Sequence, residues 1–181
     1  MTERIICAGF GGQGIMAMGK VLAISALKEG KNATWLPSYG AEVRGGTAHC
    51  MVVISDDPIA SPFIEKADSL IIMNGPSLQR FRTSLRANGL LLVNSSLAQC
   101  LGTSRRLQVV NCPLTQMAVG LENEKVANTI GLGVYLGLKK IISVSTMEKS
   151  IEEALAHKPK LVHLNKRALE EGFFFAQKFK Q

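Results

Sequence analysis

Gly9-Phe10-Gly11-Gly12-Gln13-Gly14 follows directly on the apolar run Arg4-Ile5-Ile6-Cys7-Ala8. Glycines 9, 11 and 14 fit the pattern G-x-G-x-x-G at the point where a first strand should turn into a first helix. Glycine permits a tight turn and lets another backbone come close. The helix that follows aims free N–H groups and a partial positive charge at the loop. Such a loop is built either to hold an anion or to lie flat against another backbone.

Beyond that start the chain alternates strand and helix patterns, which predicts an α/β fold with a largely parallel sheet. Residues 4–8 form the first predicted strand, 13–29 a helix ended near Gly30, and 33–36 a second strand stopped by Pro37. The β-branched stretch 47–55 reads as a third strand, with Asp57-Pro58 as a turn after it. The near-continuous apolar run 69–73 suits a strand covered on both faces. Pro76, with Arg80, Arg82 and Arg86, predicts an exposed helix to about residue 87. Residues 90–93 and 107–110 are two further short strands, and 122–140 a buried, glycine-containing helix. Two amphipathic helices, 146–157 and 161–180, close the chain. The expectation is one Rossmann-like domain over residues 1–181, its sheet flanked by helices.

Composition agrees, with 181 residues and 46% hydrophobic content, enough for one packed core. The longest apolar stretch, 129–138, is broken by glycines and falls short of the ~20 residues that span a bilayer. With no signal-peptide layout at the start, the expected location is cytoplasmic. Four cysteines at 7, 50, 100 and 112 include no C-x-x-C pair. That spacing suits neither a zinc site nor an iron–sulfur cluster, nor a disulfide framework. The net charge of +7 attracts anionic partners, but dispersed basic residues and 6% aromatics argue against nucleic acid.

A nicotinamide site would need an acid about 20 residues beyond the loop, at the end of the second strand. Leu36-Pro37-Ser38 stand there instead, so a bound dinucleotide is the disfavoured reading. The following segment packs Ser38, Tyr39, Glu42, Arg44, Gly45 and Gly46 between two strands, at the edge where open α/β sheets bind ligands. Arg44 offers a planar fork for carboxylate or phosphate, and Gly45-Gly46 lets a partner backbone approach. The plainer reading is a surface loop in which Glu42 and Arg44 pair with each other, worth under ~1 kcal/mol. His49 has no carboxylate on its face of the third strand and reads as structural. Asn94, Ser95 and Ser96 could supply hydrogen bonds at the same edge or merely cap a turn. Phe173, Phe174 and Phe175 are adjacent on the last helix, where residues rotate by ~100° each, so at least one must face outward.

The segments 8–14, 37–47 and 70–74 together resemble the gamma subunit of 2-oxoacid:ferredoxin oxidoreductases, most of all the separate gamma chain of the 2-oxoglutarate type. The stretch Tyr39-Gly40-Ala41-Glu42-Val43-Arg44-Gly45-Gly46 is the specific part. The resemblance implies a reaction in which a 2-oxoacid, coenzyme A and oxidised ferredoxin give acyl-coenzyme A, carbon dioxide and reduced ferredoxin. It implies partner alpha and beta subunits, with or without a delta subunit, that hold thiamine diphosphate, magnesium and iron–sulfur clusters. It implies a chain that binds none of these by itself and is not expected to catalyse anything alone, with no catalytic residue assigned to it. Its expected contribution is Gly9, Gly11, Gly12, Gln13 and Gly14 with Ser38, Tyr39, Glu42, Arg44, Gly45 and Gly46, facing the shared active-site region. Two rival readings stand beside it: a free nucleotide-binding protein holding flavin or NAD, and a scaffold with no residue at the active site.

Overall fold

The computed structural model describes residues 1–38, 47–99 and 106–179. Six strands form one sheet: β1 (Thr2–Phe10), β2 (Asn32–Ser38), β3 (Thr47–Ser55), β4 (Ala67–Ile72), β5 (Leu85–Asn94) and β6 (Gln108–Cys112). They lie in the order β2-β3-β1-β4-β5-β6. The pairs β1–β4, β4–β5 and β5–β6 are parallel, whereas β3 runs antiparallel to both of its neighbours. Five strands therefore point one way and only β3 the other. The eight residues between β2 and β3 are too few for the helical crossover that a parallel pair requires.

Helices α1 (Ile15–Lys28), α3 (Leu114–Gly120), α4 (Ala127–Lys139), α5 (Val144–Ala154) and α6 (Pro159–Ala176) cover one face of the sheet, over Ile5, Cys7, Cys50, Val52, Ile71, Leu92 and Val110. Helix α2 (Gly75–Phe81) sends Phe81 onto the other face, where Ile6, Ala8, Met51, Val53, Leu70 and Ile72 also meet Ile64. Burial on both faces explains why these strands read as apolar runs rather than alternating ones.

Two sequence expectations are corrected here. The helix expected to about residue 87 ends at Phe81, and a 3₁₀ turn (Arg82–Ser84) leads into β5, so Arg86 is a strand residue paired with Asp68 at 2.8 Å. Asn88 in the left-handed region, at φ 63°, breaks the basic helical pattern that the arginines suggested. The expected helix 122–140 begins only at Ala127, because Glu122 has φ 60° and the Asn123 side chain caps a 3₁₀ turn (Glu124–Val126) first. Helix α3 went unpredicted; its seven residues are too short to show a period.

α4 and α6 run side by side in the same direction, with contacts at small residues. A Cβ built on Gly133 would lie 2.0 Å from the Leu169 carbonyl oxygen, and one on Gly172 would lie 2.0 Å from that of Ile130. The absence of side chains at these two positions lets the backbones touch. On α6, Phe173 and Phe175 pack against the core while Phe174 is 67% exposed, as the rotation argument required.

Candidate functional site

The carboxyl ends of β1 and β2 and the start of β3 share one rim of the sheet. Phe10 pairs with Thr47, and Ser38 pairs with His49. The glycine loop begins where β1 ends. Gln13 closes it as a turn: its N–H donates to the Phe10 carbonyl at 3.2 Å, and its Oε1 accepts from the Phe10 N–H at 2.7 Å. Gln13 thus holds the loop closed through its Oε1. Gly12 at φ 94° and Gly14 at φ 72° adopt a conformation that costs other residues strain. Gly14 caps α1 without a side chain, and its carbonyl accepts from Asn128 of α4 at 3.2 Å. Gly9 has no room for a side chain: a Cβ there would lie 2.8 Å from that of Met73.

Two cavities flank the loop. One, of about 380 Å³, is lined by Phe10, Gly11, Gly12, Gly14 and Ile15 from the loop side, and by Ser38 and Ala48 from the β2–β3 side. The other, of about 170 Å³, lies between Gly12 and Gln13, Met73, Leu97, Thr115 and Lys125. Ser38 therefore joins the glycine loop at a common cavity. Tyr39, Glu42, Arg44, Gly45 and Gly46 lie outside the described residues.

The order of the strands bears on the dinucleotide reading. In a dinucleotide fold the acid that grips the ribose ends a strand adjacent to β1. Here β3 intervenes, so the end of β2 stands two strand spacings away, about 10 Å. Even an acid at Ser38 would be badly placed for that task. The glycines instead serve the turn and the contacts with Met73 and Asn128.

Other polar residues at the rim bind the fold. Asn94 is buried and donates to the Met73 carbonyl at 3.3 Å and to Thr115 Oγ1 at 2.9 Å. It also accepts from the Ser96 and Thr115 N–H groups at 3.3 Å, so it ties the ends of β4, β5 and α3 together. His49 is buried with its ring centroid 4.8 Å from that of Phe81, in keeping with a structural role. Arg80 donates to Thr47 Oγ1 at 2.6 Å, anchoring the start of β3. Sequence reasoning missed Lys125, Thr115 and Asn128 as rim residues. No motif marks them, and only the packing of α3 and α4 beside the loop brings them there.

Among the described residues no three His, Cys, Asp or Glu side chains gather as a metal site. No helix among them is long and apolar enough to cross a membrane.

A six-stranded, mostly parallel α/β sheet with a glycine loop at its carboxyl rim defines the class. The chain belongs to the pyruvate ferredoxin/flavodoxin oxidoreductase family, whose model matches residues 4–175. Ketoisovalerate oxidoreductase subunit VorA of Methanothermobacter thermautotrophicus is 37% identical over 175 residues, which is 96% of this chain but 36% of VorA. This chain thus spans little more than a third of that relative. The 2-oxoglutarate synthase subunit KorC of Methanocaldococcus jannaschii is 34% identical, over 86% of this chain and 84% of KorC. The gamma subunit of a keto/oxoacid ferredoxin oxidoreductase from Geobacter sulfurreducens superposes with a TM-score of 0.82 at 30% identity, covering 97% of this chain and 99% of that one.

Proposed function

We propose that this chain is the gamma subunit of a multi-subunit 2-oxoacid:ferredoxin oxidoreductase and that its carboxyl rim faces the active-site region shared with alpha and beta subunits. The assembly decarboxylates a 2-oxoacid, transfers the acyl group to coenzyme A and reduces ferredoxin. Thiamine diphosphate, held with magnesium by the partners, supplies the electron sink for decarboxylation, and iron–sulfur clusters there carry the electrons onward. The observation that carries this reading is the cavity where the glycine loop and Ser38 meet. Family membership gives that rim its context.

In this reading Ser38 leads into a segment whose Arg44 contacts an acidic group of a neighbouring subunit or a phosphate of coenzyme A. Tyr39 and Glu42 flank it, and Gly45 and Gly46 let the partner backbone approach. The proposed substrate is 2-oxoglutarate. The match to a KorC protein over 84% of that protein's length supports it. The identity to VorA favours ketoisovalerate as the second reading.

The test is to co-purify the chain with its partner subunits and follow ferredoxin reduction with 2-oxoglutarate, ketoisovalerate and pyruvate in turn. The expected result is the fastest turnover with 2-oxoglutarate. Arg44→Ala is expected to lower turnover or subunit association by about tenfold or more, the scale of a truncated interfacial charge pair. Unchanged assembly together with unchanged turnover would remove Arg44 from the site.

A further inference from the structure

Below the glycine loop lies a pair of cysteines to which the proposed activity gives no task. Cys7 of β1 and Cys50 of β3 stand directly opposite each other in the antiparallel ladder. Both belong to the core beneath α1 and are fully buried. Facing residues of such a ladder have Cα atoms about 4.5–5.5 Å apart, inside the span a disulfide bridges. We propose that Cys7 and Cys50 form a hydroperoxide-sensitive dithiol that closes into a cross-strand disulfide under the glycine loop.

The surroundings of the two sulfurs differ in a way that assigns their roles. The interaction of the two side chains lowers the Cys50 pKa and raises that of Cys7. Burial opposes the lowering at Cys50, but the Trp35 indole N–H and the Gly19 backbone N–H add to it. That indole nitrogen is buried and has no conventional hydrogen-bond partner among the described residues, which suits a donor waiting for a thiolate. Gly19 makes the approach possible, since a Cβ there would lie 2.4 Å from the Cys50 sulfur. As a thiol, Cys50 rests against the Ile15 carbonyl at 3.4 Å. Ile15, whose carbonyl Cys50 meets, and Ala48 of the same strand also line the cavity beside the loop.

In the first step the Cys50 thiolate attacks one peroxide oxygen, the O–O bond breaks, and hydroxide leaves to give a sulfenic acid. The Cys7 sulfur then attacks the Cys50 sulfur, the S–O bond breaks, and water departs. Two thiols and one hydrogen peroxide thus yield one disulfide and two waters. The bond pins β1 to β3 just ahead of Gly9 and just after Thr47, beneath the glycine loop.

The test treats the full-length chain with hydrogen peroxide, unfolds it in acid, alkylates the remaining thiols and maps peptides by mass spectrometry. The expected result is loss of two of the four alkylatable thiols, with the peptides of Cys7 and Cys50 joined within one chain. In Cys7→Ser, Cys50 is expected to stop at the sulfenic acid and to be trapped by dimedone. Four thiols still reactive after treatment would overturn the proposal. So would joined peptides that involve Cys100 or Cys112, links between chains, or Cys50 oxidised without Cys7 in the unaltered sequence.

Discussion

Glu3, a carboxyl side chain on the first strand of the sheet, is only 7% exposed. Three side chains converge on its Oε1: Ser69 Oγ donates at 2.6 Å, Tyr135 OH at 3.2 Å, and Lys139 Nζ lies at 3.4 Å. Those donors come from β4 and α4, so this knot joins the amino end of the sheet to the helical layer. Burial, reinforced by the Glu3 charge, pushes the Tyr135 phenol well above its ordinary value of 10.0. A raised pKa means that the neutral phenol stabilises the fold below about pH 10 and that this stability is lost as the pH rises above it. Urea denaturation is therefore expected to show stability falling above pH 10, with the fall reduced in Tyr135→Phe. At pH 7 the same variant should lose about 1.5 kcal/mol, the worth of a hydrogen bond to a charged acceptor.

Elements contact each other most tightly where α4 meets α6. Gly133, Gly137 and Gly172, with Ala176, form the seam, and a Cβ at Gly172 would also lie 2.9 Å from the Val134 nitrogen. Backbone atoms cannot swing aside as a side chain can, so Gly172→Ala must push the helices apart. Its expected cost is about 3 kcal/mol or more, read from the urea midpoint. Gly12→Ala meets no neighbour within 4 Å, but φ 94° strains any other residue. Both glycines were visible in the sequence, but their reasons differ, one steric and one conformational. Nothing in the order of residues distinguishes the two. The helix 122–140 shows the same limit, since its apolar run masked the break at Glu122 and Asn123.

Among the described residues the two faces of the sheet are unequally covered, five α-helices lying on one and a single seven-residue α-helix on the other. Exposed apolar side chains include Phe63 at 65% and Phe174 at 67%. Phe174 lies on the outside of α6 and carries little of the chain's own packing. Phe174→Ser is expected to change the stability of the isolated chain by less than about 0.5 kcal/mol. A clear loss in urea denaturation would show that Phe174 holds the core, and would remove it from the residues free to meet another subunit.

The alternation of apolar runs and glycine-marked turns determined the α/β class, the position of the loop at residues 9–14 and the presence of a strand at 47–55. Those features follow from local chemistry: side-chain period, β-branching and the conformations open only to glycine. Strand order was a different matter. Which strand lies beside β1 depends on where chain segments fold back over long separations, and β3 took that place, turning the dinucleotide geometry away. Only the tertiary structure brought Ser38 to the glycine loop, set Cys7 against Cys50 and buried Glu3 among its three donors, because each pairing joins residues far apart in sequence through the register of the sheet and the packing of helices upon it.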